Sequence, residues 1–240
     1  MPLFFFNFQY LLFMAPALLL VWWAQARVKR AFAKWNKVRN QRNLRGADVA
    51  KHLLQSGNLI DVHLEGARPN HDHYDPRDNV LRLSPEIADT ASVTALAVAA
   101  HEIGHALQDR DNYGPLRFRS ALVPAVNIGS NLGWFFIIGG FVLAAWLGLS
   151  EFGVMISWIG VAFFGLGTVF AFATLPVEFD ASRRAMSLLT DSGLILTEEE
   201  RRGAKAVLDA AALTYVAALG AALSQLLYYV FLVSGMGRRR

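Results

Sequence analysis

Cysteine is absent from the 240 residues of this chain. Disulfide bonds and metal sites built from thiolates are therefore excluded. A metal ion bound by side chains would have to use imidazole and carboxylate ligands, and the chain has six histidines to offer. The histidines are few enough that their spacing in the sequence is informative.

Charged residues are missing from four long stretches. Residues 1–26, 120–150, 152–177 and 210–237 contain no Asp, Glu, Lys or Arg. Each stretch supplies the roughly 20 apolar residues that cross a hydrocarbon layer about 30 Å thick. The whole chain is also 54% hydrophobic, which is high for a soluble domain of this length. The sequence therefore predicts four transmembrane helices and a lipid bilayer as partner.

Acidic residues are missing from the segment that follows the first apolar stretch. That stretch has no basic residue before it and no small-residue cleavage signal after it, which favours a retained anchor over a signal peptide. The basic residues behind it are Arg27, Lys29, Arg30, Lys34, Lys37, Arg39, Arg42 and Arg45. By the positive-inside rule this segment is cytoplasmic, although the terminal residues 238–240 are also basic and would then lie outside. Because the basic run lies beside a predicted span and shows no reading motif, no nucleic-acid partner is expected.

These patterns predict a mainly α membrane protein with a small α+β soluble part that contains a short β-hairpin or sheet. A helix is expected at 47–55 and strands at 59–64 and 79–83, with a further helix starting near Pro85. The chain divides into five predicted segments: an anchor helix at 1–26, a soluble segment at 27–119, a transmembrane hairpin at 120–177, a soluble helical segment at 178–209, and a last transmembrane helix with a basic end at 210–240.

The most informative motif is His101-Glu102-Ile103-Gly104-His105, called here the HEIGH motif. The alanine-rich run before it has no Pro or Gly, so it predicts a continuous helix with Ser92 as its N-cap. Residues four apart share one helical face, so both imidazoles can bind one ion. The glutamate between them is then placed as a general base beside a metal.

A catalytic zinc needs a third protein ligand, and two residues qualify. Asp111 follows the motif closely, but the chain lacks the glycine that would turn it back toward the histidines. Glu178 lies after the predicted hairpin, which returns the chain to the same side of the membrane. Pro176 is expected to begin a helix there, with Glu178 in its first turn. Glu178 is the better of the two candidates.

Three stretches of the sequence are informative together: His101 to Gln108, His71 to Pro76 and Leu175 to Ala185. With them, the sequence resembles the YugP-like family of bacterial membrane zinc metallopeptidases over nearly the whole chain. The resemblance implies a zincin-like subdomain related to the gluzincins, with one Zn²⁺ held by His101, His105 and Glu178 and with Glu102 as general base.

The same resemblance implies hydrolysis of a peptide bond by a water that the metal activates and Glu102 deprotonates. Many gluzincins place an aspartate four residues after the ligand glutamate; this chain has Ser182 there, and Asp180 is the neighbouring acid that could substitute. Candidate donors to the tetrahedral oxyanion are His71, His73, Tyr74 and Arg183. The strand predicted at 79–83 is expected to offer an edge to an extended peptide substrate.

Two functions are therefore open. The first is a multi-pass zinc endopeptidase of the bacterial inner membrane whose site faces the cytoplasm near the membrane surface. Charges at Glu86, Asp89, Asp109, Arg110 and Asp111 flank the HEIGH motif and argue against cleavage inside the hydrocarbon. The second is a membrane scaffold or adaptor with a structural or vestigial metal site. Glu102 and the lack of a fourth protein ligand favour the enzyme.

Overall fold

The computed structural model describes residues 8–236, except for the side chain of Ser130. The described chain is mainly α with one small sheet, which confirms the predicted fold class. Its elements are α1 Phe8–Trp35, α2 Gly46–Ser56, β1 His63–Gly66, β2 His73–Asp75, β3 Val80–Leu83, α3 Pro85–Ala88, α4 Val93–Arg110, α5 Gly114–Trp146, α6 Ser150–Asp191 and α7 Glu198–Met236.

Four of these helices, α1, α5, α6 and α7, are long and apolar enough to cross a membrane, as the uncharged stretches predicted. All four extend past those stretches into charged sequence. The described chain forms two compact units, and each long helix contributes residues to both. The first unit contains the chain up to Trp23, Arg117–Thr174 and the chain from Tyr215; the second contains Ala24–Leu116 and Leu175–Thr214.

In the first unit, α5 and α6 pack through small residues. A Cβ added to Gly160 would lie 2.7 Å from the carbonyl oxygen of Gly133, and Gly140 faces Gly153 and Ser157 in the same way. Small residues let two helix backbones approach where no hydrophobic effect drives them together. The connection between the helices is short, with Gly148 at a φ of 70°. Glu151 consequently lies in the first turn of α6, and the turn itself precedes it.

The second unit is built around α4. This helix is buried on nearly every side, which explains its alanine content, since alanine combines high helix propensity with close packing. Large aliphatic side chains from its neighbours surround it, and burial of each contributes roughly 1.5–3 kcal/mol. The fully buried members of this core include Leu53, Leu81, Leu96, Ile103 and Leu189.

The sheet differs from the prediction in the position of its strands and in which strands form its edges. Strand order is β1-β3-β2, with β1 parallel and β2 antiparallel to β3. The first strand begins at His63, because residues 59–62 form a turn rather than the predicted strand. The second strand, β2, lies at His73–Asp75, where no strand was predicted. The prediction that residues 79–83 offer a free edge is wrong, since β3 is paired on both sides and the edges belong to β1 and β2.

Pro176 does not begin a helix, contrary to prediction, but lies inside the continuous helix α6. A proline in a helix interior removes one backbone hydrogen bond and costs about 3 kcal/mol. Here the turn that follows is fixed by packing, since Val177, Ala181 and Ala185 are completely buried. Glu178 therefore lies in the interior of α6 and not at a helix N-terminus.

Candidate metal centre

The HEIGH motif lies on the second half of α4. As predicted, Ser92 caps this helix, and its hydroxyl accepts a hydrogen bond of 3.1 Å from the backbone N–H of Ala95. His101 and His105 lie on one face, with ring centroids 4.8 Å apart and planes at 86°. The imidazoles are partly exposed, while Ile103 and Gly104 between them point into the protein.

Helix α6 reaches this face because Gly104 has no side chain. A Cβ at position 104 would lie only 2.6 Å from the carbonyl oxygen of Ala181. The two backbones can approach this closely only at a glycine. Glu178 lies one turn before Ala181 on α6, so the close contact brings its carboxylate to the two imidazoles.

The three side chains form a compact group of ligand atoms. The Glu178 Oε2 atom is 3.3 Å from His101 Nε2 and 3.7 Å from His105 Nε2. One ligand atom from each residue lies within 4.8 Å of the others. In a tetrahedral zinc site with bonds of about 2.0–2.1 Å, neighbouring ligand atoms are roughly 3.3 Å apart. The spacing and the chemistry of this donor set therefore fit zinc, and all three residues belong to the second unit.

The charges of the group also suit a cation. Glu178 lies beyond the uncharged stretch and is only 4% exposed. Burial alone would raise its pKa, but hydrogen bonds and charges from His101 and His105 bring that pKa well below its usual range. Burial lowers the pKa of His105, whereas Glu178 and Glu102 raise it, and the net direction is upward. The site thus presents a buried carboxylate anion next to two imidazoles.

Glu102 is held by the edge strand β2. The backbone N–H of Tyr74 donates to Glu102 Oε2 at 3.1 Å. The hydroxyl of Tyr74 is occupied elsewhere, 3.0 Å from both Asp109 Oδ2 and Asn79 Oδ1. Burial and the neighbouring Asp109 carboxylate raise the pKa of Tyr74. Tyr74 therefore contacts the proposed base through its main chain, a role that the sequence does not reveal.

Each histidine has a second contact at Nδ1. Ser182 Oγ is 3.3 Å from Nδ1 of His101, so the serine that stands in the place of the gluzincin aspartate does reach a histidine. Gln108 Oε1 is 3.0 Å from Nδ1 of His105. Asp180, which the sequence suggested as a substitute partner for a histidine, instead accepts a hydrogen bond of 2.9 Å from Gln108.

Gln108 was not predicted as a site residue. It lies three positions after His105, a spacing that places both on one side of the helix, and this was the available signal. Its partners on α6 are about 70 residues away in the chain and could not be read from local spacing.

The remaining candidates are exposed or have other partners. Asp111 is the C-cap residue of α4 and forms ion pairs with Arg184 and Arg110, so its carboxylate already has charged partners. Arg183 is largely exposed and pairs with Asp180. His71 and His73 are exposed, and the carbonyl of His71 is 2.8 Å from Nδ1 of His73.

Comparison with known proteins shows which family the chain belongs to. The model of a protein family described as "Putative neutral zinc metallopeptidase" matches residues 10–234. The chain belongs to this family. A relative from Bacillus subtilis named "Putative membrane protease YugP" is 40% identical over 217 residues, which is 90% of this chain and 92% of the relative. No solved structure matches the chain. The resemblance seen in the sequence is thereby confirmed.

Proposed function

We propose that this protein is a membrane-anchored zinc endopeptidase in which His101, His105 and Glu178 hold one zinc ion. The observation that carries the proposal is the convergence of three zinc-type ligand atoms within 4.8 Å, with the carboxylate of Glu102 close enough to raise the pKa of His105. A structural zinc site usually has four protein ligands, whereas three leave a position for water and substrate. Zinc bound there would supply a Lewis acid that lowers the pKa of water and polarises a carbonyl group.

Glu102 is the general base in this proposal. Its carboxylate accepts a proton from the attacking water and later gives that proton to the leaving amine. The N–H of Tyr74 fixes the carboxylate from the side of the sheet, so the base does not have to be ordered when substrate arrives.

The substrate is a peptide in extended conformation, paired with β2. Of the two edge strands, β2 is the one whose backbone contacts Glu102. A peptide added along the outer edge of β2 would pass in front of the base, held by main-chain groups other than the Tyr74 N–H, which Glu102 uses. His73 begins β2 and is exposed, as is His71, so these two are the proposed donors to the oxyanion.

The proposed location is the bacterial inner membrane, with the site on the cytoplasmic side. Four helices long and apolar enough to span, together with a relative named as a membrane protease, support a multi-pass membrane protein. The basic residues between Arg27 and Arg45 support a cytoplasmic position for the second unit, to which they belong.

The test is cleavage by the full chain in detergent, with casein as an unstructured protein substrate. Glu102→Gln should lower the cleavage rate by about 10²–10⁴-fold, the usual contribution of a general base, while zinc stays bound. Glu86→Gln is the matched control, since Glu86 is exposed on α3. Cleavage that survives in Glu102→Gln would refute the assignment. Bound zinc with no cleavage by the wild type would favour the scaffold function instead.

A further inference from the structure

Gln108 is a polar side chain in an apolar part of the second unit. It is fully buried, with 0% of its surface exposed. Burying a side-chain amide is costly unless its donors and acceptor are all used. Gln108 meets this requirement with three contacts: His105 Nδ1 at 3.0 Å, the Val177 carbonyl oxygen at 2.8 Å and Asp180 Oδ2 at 2.9 Å.

These contacts determine which way round the amide lies. A carbonyl and a carboxylate offer only acceptors, so the group that faces Val177 and Asp180 must be the NH₂ of Gln108. Its oxygen therefore faces His105 and must receive a hydrogen bond there. It follows that His105 carries a proton on Nδ1, so when the ring is neutral its lone pair is on Nε2, the nitrogen that lies 3.7 Å from Glu178 Oε2 and is free to bind a metal.

Ser182, the partner of His101, does not determine which ring nitrogen of His101 carries the proton. The hydroxyl of Ser182, 3.3 Å from Nδ1 of His101, can donate or accept because its proton rotates freely. The two imidazoles are thus held in different ways. His105 is fixed in one tautomer by a buried amide, and His101 is only oriented.

The other half of the Gln108 amide fixes α6. Val177 and Asp180 lie on either side of Glu178 in the same turn. Asp180 is 4% exposed and is also held by Arg184 Nε at 2.7 Å. Arg184 in turn pairs with Asp111 at the end of α4, which ties the two helices together a second time.

We propose that Gln108 is a positioning residue that holds two of the three zinc ligands at once. Through its oxygen it keeps Nε2 of His105 available to the metal, and through its nitrogen it fixes the turn that carries Glu178. This inference rests on the proposed metal site. Outer partners of this kind typically contribute 10–100-fold to metal affinity.

The test is zinc affinity of the full chain in detergent, measured by competition with a chelator. Gln108→Met has a similar size but neither donates nor accepts as an amide does, so zinc should bind about 10–100-fold more weakly. Gln108→Glu keeps an acceptor for His105 but sets a carboxylate against Asp180 and the Val177 carbonyl, so it should also weaken binding. The control is Thr94→Val on the same helix. Thr94 is 1% exposed and its hydroxyl has no hydrogen-bond partner among the described residues, so zinc affinity should not change.

Two further readouts separate positioning from general destabilisation. Cobalt substituted for zinc should give a visible spectrum that changes in Gln108→Met but not in Thr94→Val. In the zinc-loaded wild type, the ¹⁵N spectrum of labelled histidine should show His105 protonated at Nδ1. Protonation at Nε2 would overturn the proposal without the use of any variant.

The outcomes distinguish this inference from the proposed function. Wild-type zinc affinity in Gln108→Met, together with loss of zinc in Glu178→Ala, would overturn the role of Gln108 and leave the metal site intact. Equal zinc binding by the wild type and Glu178→Ala would instead refute the metal site on which the inference rests.

Discussion

Replacing Gly104 with alanine should disturb the metal site without touching a ligand. The added Cβ would lie 2.6 Å from the carbonyl oxygen of Ala181 and 3.2 Å from its Cα, which is backbone that cannot rotate away. Helix α6 must therefore move by a few tenths of an ångström. Zinc sites tolerate deviations in ligand distance of only about 0.2 Å, so the displacement of Glu178 is large on that scale.

The magnitude follows from two opposing effects. Glycine to alanine in a helix normally gains up to about 1 kcal/mol. Overpacking of a tight contact costs about 1–3 kcal/mol. The second effect is larger, so Gly104→Ala should unfold at a lower temperature than the wild type, and its zinc affinity should fall at least about tenfold, the low end for a disturbed ligand geometry.

The assay is competition of the purified full chain with a zinc chelator, together with a thermal melt. Gly114→Ala is the matched control, because a Cβ at Gly114 would meet no atom of residues 8–236 within 4 Å. The control should bind zinc as the wild type does. Wild-type zinc affinity in Gly104→Ala would refute the argument that the Gly104–Ala181 contact sets the position of Glu178.

Three other perturbations test neighbouring parts of the site. Tyr74→Phe should keep cleavage within a few-fold of the wild type but lose roughly 0.5–1.5 kcal/mol of stability. The reason is that the hydroxyl contacts Asp109, while only the main chain of Tyr74 contacts Glu102. A loss of cleavage comparable to that in Glu102→Gln would contradict this. Arg184→Met should lower stability by about 1–3 kcal/mol, as it removes a charged partner from the buried Asp180, and an unchanged melting temperature would count against this ion pair. After treatment with a chelator, the protein should melt at its highest temperature between about pH 4.5 and 6.5, the ordinary pKa values of Glu178 and His105, as measured in melts from pH 4 to 8. The lowered pKa of Glu178 contributes stability that is lost as the pH falls, and the raised pKa of His105 contributes stability that is lost as the pH rises. A melting temperature independent of pH would contradict the interaction between Glu178 and His105.

Features set by local sequence were predictable. The four apolar helices follow from the absence of charge over long stretches, a strong and local signal. Helix α4 follows from an alanine-rich run and from Ser92, whose capping bond joins residues three positions apart. The grouping of His101 with His105 needs only the helical repeat.

Features set by distant contacts were not predictable in the same way. Strand β2 is three residues long among turn-forming residues, and it forms because β3 pairs with it. The same pairing places β3 in the centre of the sheet, which no property of residues 79–83 alone could reveal. Pro176 signals a helix start by local rules, yet packing of Val177 and Ala181 carries α6 through it.

Within the site, the sequence suggested Glu178 as a ligand but did not indicate the role of Gln108. The position of Glu178 could be suggested because a hairpin must return the chain to the side from which it left, and the family resemblance named the same residue. The role of Gln108 depends on the direction of one amide between α4 and α6, which only the three-dimensional contacts define. Ligands are therefore easier to infer from sequence than the residues that orient them.

Zinc content per chain is the measurement that tests the central claim most directly. The wild type, Glu102→Gln and Glu178→Ala should be purified in detergent with zinc supplied and then dialysed, and the metal quantified by mass spectrometry. If His101, His105 and Glu178 hold the ion, the wild type and Glu102→Gln should each retain about one zinc and Glu178→Ala should retain almost none. Full retention of zinc by Glu178→Ala would contradict the account.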